Sequence, residues 1–115
     1  MRRKAKLRGM TPEALEFVAA RFRVLSEASR LKLILALEEG EKNVTGLVET
    51  TGLTQANVSR HLQTLTGAGI LGRRREGPNV IYYIADESIF ELCDHVCNSL
   101  QKRLAEQART FASDR

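Results

Sequence analysis

The stretch Gly52-Leu-Thr-Gln-Ala-Asn-Val-Ser-Arg-His-Leu-Gln-Thr-Leu-Thr-Gly-Ala-Gly69 constrains this chain most. It reads as a short turn, a helix with one apolar edge and a glycine-marked stop. Val58, Leu62 and Leu65 fall at i, i+4 and i+7 and share a face. At about 100° per residue, Ala56, Arg60 and Gln63 point the opposite way, flanked by Asn57, Ser59 and Thr64. That outer face holds no acid and no large apolar side chain. Its amides, hydroxyls and guanidinium match base edges in a major groove: Arg reads guanine, Asn and Gln read adenine, Ser and Thr adapt to either. Thr54 is placed as N-cap, with first-turn N–H groups turned toward a phosphate. Read this way, Thr54, Gln55, Ala56, Asn57, Ser59, Arg60 and Gln63 belong to a DNA-recognition helix.

An ordinary amphipathic surface helix would show the same apolar edge. Three neighbouring features favour DNA. A helix lies just upstream, a basic hairpin just downstream, and no Asp or Glu occurs between Glu49 and Glu76, where Arg60, Arg73, Arg74 and Arg75 all fall. The formal charge of the 115 residues is +4. Its one-sided distribution is the footprint expected of a polyanion binder.

A helix is expected from Thr11-Pro12-Glu13, with Thr as cap, Pro in the first helical position and Glu in the first turn. Leu15, Val18, Phe22 and Leu25 then make a stripe at alternating three and four. A second helix, Ser29 to about Glu39, carries Leu31, Leu33, Ile34, Leu35, Ala36 and Leu37, leaves almost no polar face and is expected to be buried. Gly40 ends it. Asn43 to Thr51 is a short third helix with Leu47 and Val48 facing in, and Gly52 turns the chain into the recognition helix: a helix-turn-helix. Two β-prone runs, residues 70–75 and 80–84, flank the turn formers Glu76-Gly-Pro-Asn79 and predict a hairpin. Behind the recognition helix it can act as a wing, with Arg73, Arg74 and Arg75 along phosphates or in a minor groove. A solvated strand edge is the plainer reading of three arginines. Of Tyr82 and Tyr83, alternation makes one core and the other exposed.

Asp86 or Ser88 caps a last long helix, in which Ile89, Cys93, Val96, Leu100, Leu104 and Phe111 trace one seam. This stripe and that of the first helix need a partner. A symmetric homodimer is expected, with Leu15, Val18, Phe22, Ile89, Cys93, Val96, Leu100 and Leu104 at its seam. The expected fold is mainly α with a small β-hairpin, a dimeric winged helix-turn-helix of order ααααββα. Residues 1–10 form a basic flexible tail and residues 11–111 the DNA-binding and dimerisation domain. No membrane-spanning run or signal-peptide core is present, and the two cysteines make no disulfide framework, so the cytoplasm is the expected compartment. No Gly-rich phosphate loop, Ser/His/Asp pattern or paired carboxylates point to an enzyme.

In order and residues the chain resembles the arsenic-repressor (ArsR/SmtB) family of bacterial winged-helix repressors. The resemblance rests on Leu25-Ser-Glu-Ala-Ser-Arg-Leu-Lys-Leu-Ile-Leu35, Gly52 to Leu62, Leu65-Thr-Gly-Ala-Gly-Ile-Leu71 and Arg73-Arg-Arg-Glu-Gly77, followed by Tyr82 or Tyr83. It implies a homodimer that binds a palindromic operator and blocks transcription until an inducer binds. By position it puts DNA contacts on Gln55, Ala56, Ser59 and Arg60, with the wing arginines behind them. The family's third-helix cysteine site falls here on Asn43 and Thr45, neither a thiol. Its last-helix zinc site falls on Asp86, Ser88, Ser99 and Lys102, of which only the first could bind a metal. The family's persulfide sensors use a thiol on an early helix, and no early cysteine exists here.

Cys93 and Cys97 remain, four apart on one helix. Two thiolates at that spacing can share a soft ion, and an arsenic(III) species or copper(I) would fit. An oxidant is a further thiol-directed inducer. Equally, both can be small apolar residues packed in the dimer seam. His95 points roughly 160° away from the pair's midpoint, while His61 leans toward the core edge and reads as structural. The competing functional readings are a winged-helix module that meets an acidic protein partner and a regulator of the same fold without cysteine sensing.

Overall fold

The structure, a computed structural model, describes residues 6–112. A short 3-10 turn, Lys6–Gly9, precedes α1 (Pro12–Val24), α2 (Ala28–Glu38), α3 (Val44–Thr51), α4 (Gln55–Gly67), the strands β1 (Leu71–Glu76) and β2 (Asn79–Ile84), and α5 (Ser88–Ala112). The expected order of five helices and one hairpin is the observed one. Of the basic tail, residues 1–5 lie outside the described residues. The chain divides into two compact units, Met1–Ala85 and Asp86–Arg115.

In the first unit Thr11 and Thr54 cap where sequence places them, accepting through their side chains from the amides of Ala14 and Asn57. Asn43, expected as the first residue of the third helix, is instead its cap and accepts from Gly46 N. Each satisfies one of the orphan donors of a helix start, worth about 1 kcal/mol apiece. Gly52 closes α3 in the left-handed region at φ 75°, where a side chain would be strained. Its amide donates to Val48 O at 2.9 Å. The two helices of the helix-turn-helix are thus set by two caps and one glycine.

The core is formed by Leu33, Ile34, Ala36 and Leu37 of α2, Leu47 of α3, Val58, Leu62 and Leu65 of α4, then Ile70 and Leu71. A fully buried Leu or Ile contributes roughly 1.5–3 kcal/mol. Val48 is only half-buried. The expectation that α2 is buried all round is corrected: Leu35 is 59% exposed and Leu31 36%. An eleven-residue helix that packs against α3, α4 and β2 still keeps one side free, and these leucines lie on it. In α1 no residue is buried within the chain; Leu15 and Phe22 are exposed, and Phe17, outside the expected stripe, reaches 79%. Arg21 ties α1 to the end of α4 by donating Nη2 to Ala68 O at 3.0 Å.

The strands pair antiparallel from Leu71↔Ile84 to Glu76↔Asn79. This corrects the turn: Glu76 and Asn79 are paired, and the loop is the two residues Gly77-Pro78. Gly77 sits at φ 60°. A positive φ followed by proline's fixed negative one is the pattern of a type II′ turn, which suits hairpin twist. The division of Tyr82 and Tyr83 into core and surface is also corrected, since both are half-buried. Tyr82 exchanges two backbone bonds with Lys42, at 2.8 and 3.2 Å, so the segment after α2 adds a one-residue bridge to the outer edge of β2. Tyr83 lies over Gly72, whose absent Cβ would stand 2.5 Å from the ring.

The second unit is α5. Asp86 Oδ1 accepts from Ser88 N at 3.1 Å and from Ser88 Oγ at 2.6 Å, so the start of this helix uses both candidate capping residues. Ile89 is buried. Val96, Leu100, Leu104 and Phe111 of the predicted seam are exposed within the chain, Phe111 at 83%.

Candidate nucleic-acid interface

The face of α4 opposite Val58, Leu62 and Leu65 is open. Gln55, Ala56, Asn57, Ser59, Arg60 and Gln63 are all exposed, as is the cap Thr54; Thr64 is half-buried. Arg60 Nη2 donates to Asn57 Oδ1 at 3.0 Å. This i, i+3 bond holds the guanidinium over the first turns of α4, where the end of a recognition helix meets base edges.

The underside of α4 is fixed by a residue of mixed character. His61 is 2% exposed. Its Nδ1 accepts from Arg30 Nε at 3.1 Å, and Arg30 also donates to Val24 O and forms an ion pair with Glu27 at 3.1 Å. An acceptor Nδ1 requires the neutral ring. Burial, and after it the Arg60 charge, hold the His61 pKa below its ordinary 6.5; Glu27, 3.8 Å from Nε2, pulls the other way, and Arg30 adds to the lowering. The structural role expected for His61 is therefore a polar tie between α2 and α4.

On the hairpin the three arginines do not act together. Strand alternation puts Arg73 and Arg75 on the face of Leu71, which is buried, and Arg74 on the other. Arg73 and Arg75 run past the end of the core on the α4 side and are exposed. Arg74 instead donates Nη2 to Glu41 at 2.6 Å and Nε to Glu76 at 2.7 Å, and its guanidinium lies 5.7 Å from the centre of the Tyr83 ring. The hydrogen bond from Arg74 holds the Glu41 carboxyl below its ordinary range, and the two carboxylates raise the Arg74 pKa in turn. Arg74 thus braces the wing against the segment after α2. Spacing alone put it with its neighbours; its parity along the strand and the distant Glu41 separate it from them.

Residues 27–72 match the family described as bacterial regulatory protein, arsR family. Over 81 residues the chain is 36% identical to the HTH-type transcriptional regulator CmtR of Mycobacterium bovis, covering 70% of this chain and 69% of that protein. The chain belongs to the ArsR family. A probable mercury resistance operon repressor of Streptomyces lividans is 35% identical over 71 residues, 62% of this chain but only 57% of its own length. Among solved structures, the homodimeric winged helix-turn-helix DNA-binding domain of a possible ArsR-family regulator from Mycobacterium bovis superposes with a TM-score of 0.71 at 29% identity, covering 85% of this chain and 94% of that one. These are regulators of transcription and not enzymes.

In this ArsR-family chain, Asn43 and Asp86, on which the sequence resemblance places family sensor sites, make local structural contacts. Asn43 caps α3 and Asp86 binds Ser88. The thiols lie elsewhere: Cys93 is half-buried, Cys97 exposed, and both are free. Burial, with Asp94 beside it, pushes the Cys93 thiol pKa up. Among the described residues no three His, Cys, Asp or Glu side chains are grouped to hold a metal ion. No helix among them is long and apolar enough to cross a membrane.

Proposed function

We propose that this protein is a cytoplasmic repressor that binds a palindromic operator as a homodimer. Residues 11–111 act as its DNA-binding and dimerisation domain, behind a basic tail over residues 1–10. The observation that carries the reading is the acid-free outer face of α4 beside the exposed Arg73 and Arg75. Each α4 enters a major groove, and the half-sites are centred about 34–36 Å apart. Arg60, held by Asn57, reads a base edge; Gln55, Ser59 and Gln63 line the same groove. The exposed apolar stripes of α1 and α5 form the dimer seam. The test is binding to duplex DNA from upstream of its own coding region. Arg60→Ala should cost about 1–3 kcal/mol and relax preference at one base pair. Unchanged affinity and preference would remove α4 from the recognition role. Binding of an acidic protein with no preference among duplexes would favour the interaction-module reading.

A second reading concerns release. Two free thiols four residues apart on α5, and a relative named for a mercury resistance operon, support a soft thiophilic ion as inducer. Arsenic(III) and mercury(II) are the probes. Release of the duplex by either, lost in Cys93→Ser and Cys97→Ser, would assign the pair to sensing. Indifference to both would leave the thiols as packing groups of the seam.

A further inference from the structure

Between α4 and the wing lies a cleft of about 430 Å³, lined by Ser59, Gln63, Thr66, Gly67, Arg73 and Tyr82. Two elements build it. Ser59 and Gln63 are one turn apart on α4, and Thr66 follows on its last turn. Arg73 and Tyr82 face each other across the hairpin. The backbone N–H and C=O of Tyr82 both bond Lys42. The Arg73–Tyr82 pair therefore belongs to the non-hydrogen-bonded class of antiparallel pairs, in which side chains stand closest. The lining offers a guanidinium, a phenol, an amide and hydroxyls, with no carboxylate and no aliphatic wall.

We propose that this cleft seats one phosphate of the DNA backbone, gripped by Arg73 and Tyr82 from the wing and by Ser59 and Gln63 from α4. The assignment rests on the DNA-binding reading above and adds Tyr82, which the outward face of α4 does not include. One anion bridging both elements fixes the angle of the wing to the recognition helix, so the seat positions α4 in its groove and carries no base preference. The cation supplies charge; the phenol and amide supply directed neutral donors. Gln63 is thereby drawn from base readout to backbone positioning.

Anisotropy binding to the upstream duplex and to a random-sequence duplex, each at several salt concentrations, tests the seat. Tyr82→Phe keeps the backbone bridge to Lys42 and so keeps the hairpin. It should weaken both duplexes about three- to tenfold and leave the salt slope unchanged, because the number of released counterions stays the same. Arg73→Gln should weaken both and reduce the slope by about two, one phosphate for each protomer of the homodimer. A methylphosphonate scan should find one backbone position in each half-site whose neutralisation weakens the wild type, adds little to Arg73→Gln and adds less than its full wild-type effect to Tyr82→Phe. Wild-type affinity in both variants, or a loss confined to one base pair, would overturn the seat while the DNA-binding reading stands. Inorganic phosphate that saturates shifts of Tyr82 and Gln63 in the DNA-free protein, with DNA affinity intact in Tyr82→Phe, would make this a free-anion site and also overturn it. Failure of the wild type to bind any duplex would sink the underlying reading and the seat with it.

Discussion

Arg30 donates its Nε–H to His61 Nδ1 at 3.1 Å, joining helix α2 to the underside of α4. The bond exists only while the imidazole is neutral, and burial lowers the His61 pKa from its ordinary 6.5. The unfolded chain therefore binds this proton more readily than the folded one. Stability from the tie is fully present above the ordinary histidine value and is lost as pH falls through the depressed folded value. Thermal melts between about pH 7.5 and about pH 5 should show Tm dropping across that window. In His61→Gln, which keeps an acceptor but cannot titrate, the drop should be smaller. An equal drop in both proteins would place the acid sensitivity elsewhere.

The wing arginines should separate in salt titrations. The slope of log K against log salt is set by how many phosphates the protein neutralises, at about 0.9 per phosphate. Arg73→Gln and Arg75→Gln should each lower it by nearly twice that amount, since the homodimer carries two copies of each, whereas Arg74→Gln should fall well short, because Glu41 and Glu76 already neutralise Arg74. In Arg74→Gln and in Glu41→Gln, amide exchange should speed up in β1 and β2 and stay unchanged in α4. Three equal slopes would return Arg74 to the DNA face.

Gly72 is the one glycine whose Cβ would collide with a neighbour, at 2.5 Å from the Tyr83 ring. Gly72→Ala must displace that ring. Overpacking of this kind costs about 1–3 kcal/mol, visible as a lower Tm and a shifted Tyr83 ring resonance. Gly67→Ala serves as control, since nothing lies within 4 Å of its Cβ position.

Leu100 and Leu104 are 53% and 60% exposed within the chain. If the α5 stripe is the dimer seam, Leu100→Glu with Leu104→Glu should give monomers in sedimentation at concentrations where the wild type is dimeric. The circular dichroism of the first unit should be retained, and operator affinity should fall with the loss of the second half-site. A dimer that survives both changes would put the seam elsewhere.

Most of the fold was legible because its signals are local. Thr11-Pro12, Thr54 and Gly52 each state a cap or a turn within three residues, and the Val58–Leu62–Leu65 edge states which way α4 faces. The rest depends on distant residues. Leu31 and Leu35 are as apolar as Leu33, and only the packing of α2 decides which side is covered. The Glu76-Gly-Pro-Asn79 stretch contains four turn formers, but cross-strand pairing claims the outer two. Arg74 differs from Arg73 only by one step of alternation and by Glu41, 33 positions away. The Tyr82–Lys42 bridge has no sequence signature, since it is a backbone pairing between segments far apart in sequence. The outer face of α4 could be read from composition, whereas the cleft beside it required the hairpin register.

That bridge fastens the hairpin at mid-strand, with Ala85 N bonded to Ile70 O at its base and Arg74 braced by Glu41 alongside. The hairpin end beyond it, Gly77-Pro78, bears on nothing in the core. Descendants of this gene could lengthen or recharge that end by insertion without disturbing the scaffold. Reach along the duplex is thus a property that evolution can vary separately from base preference.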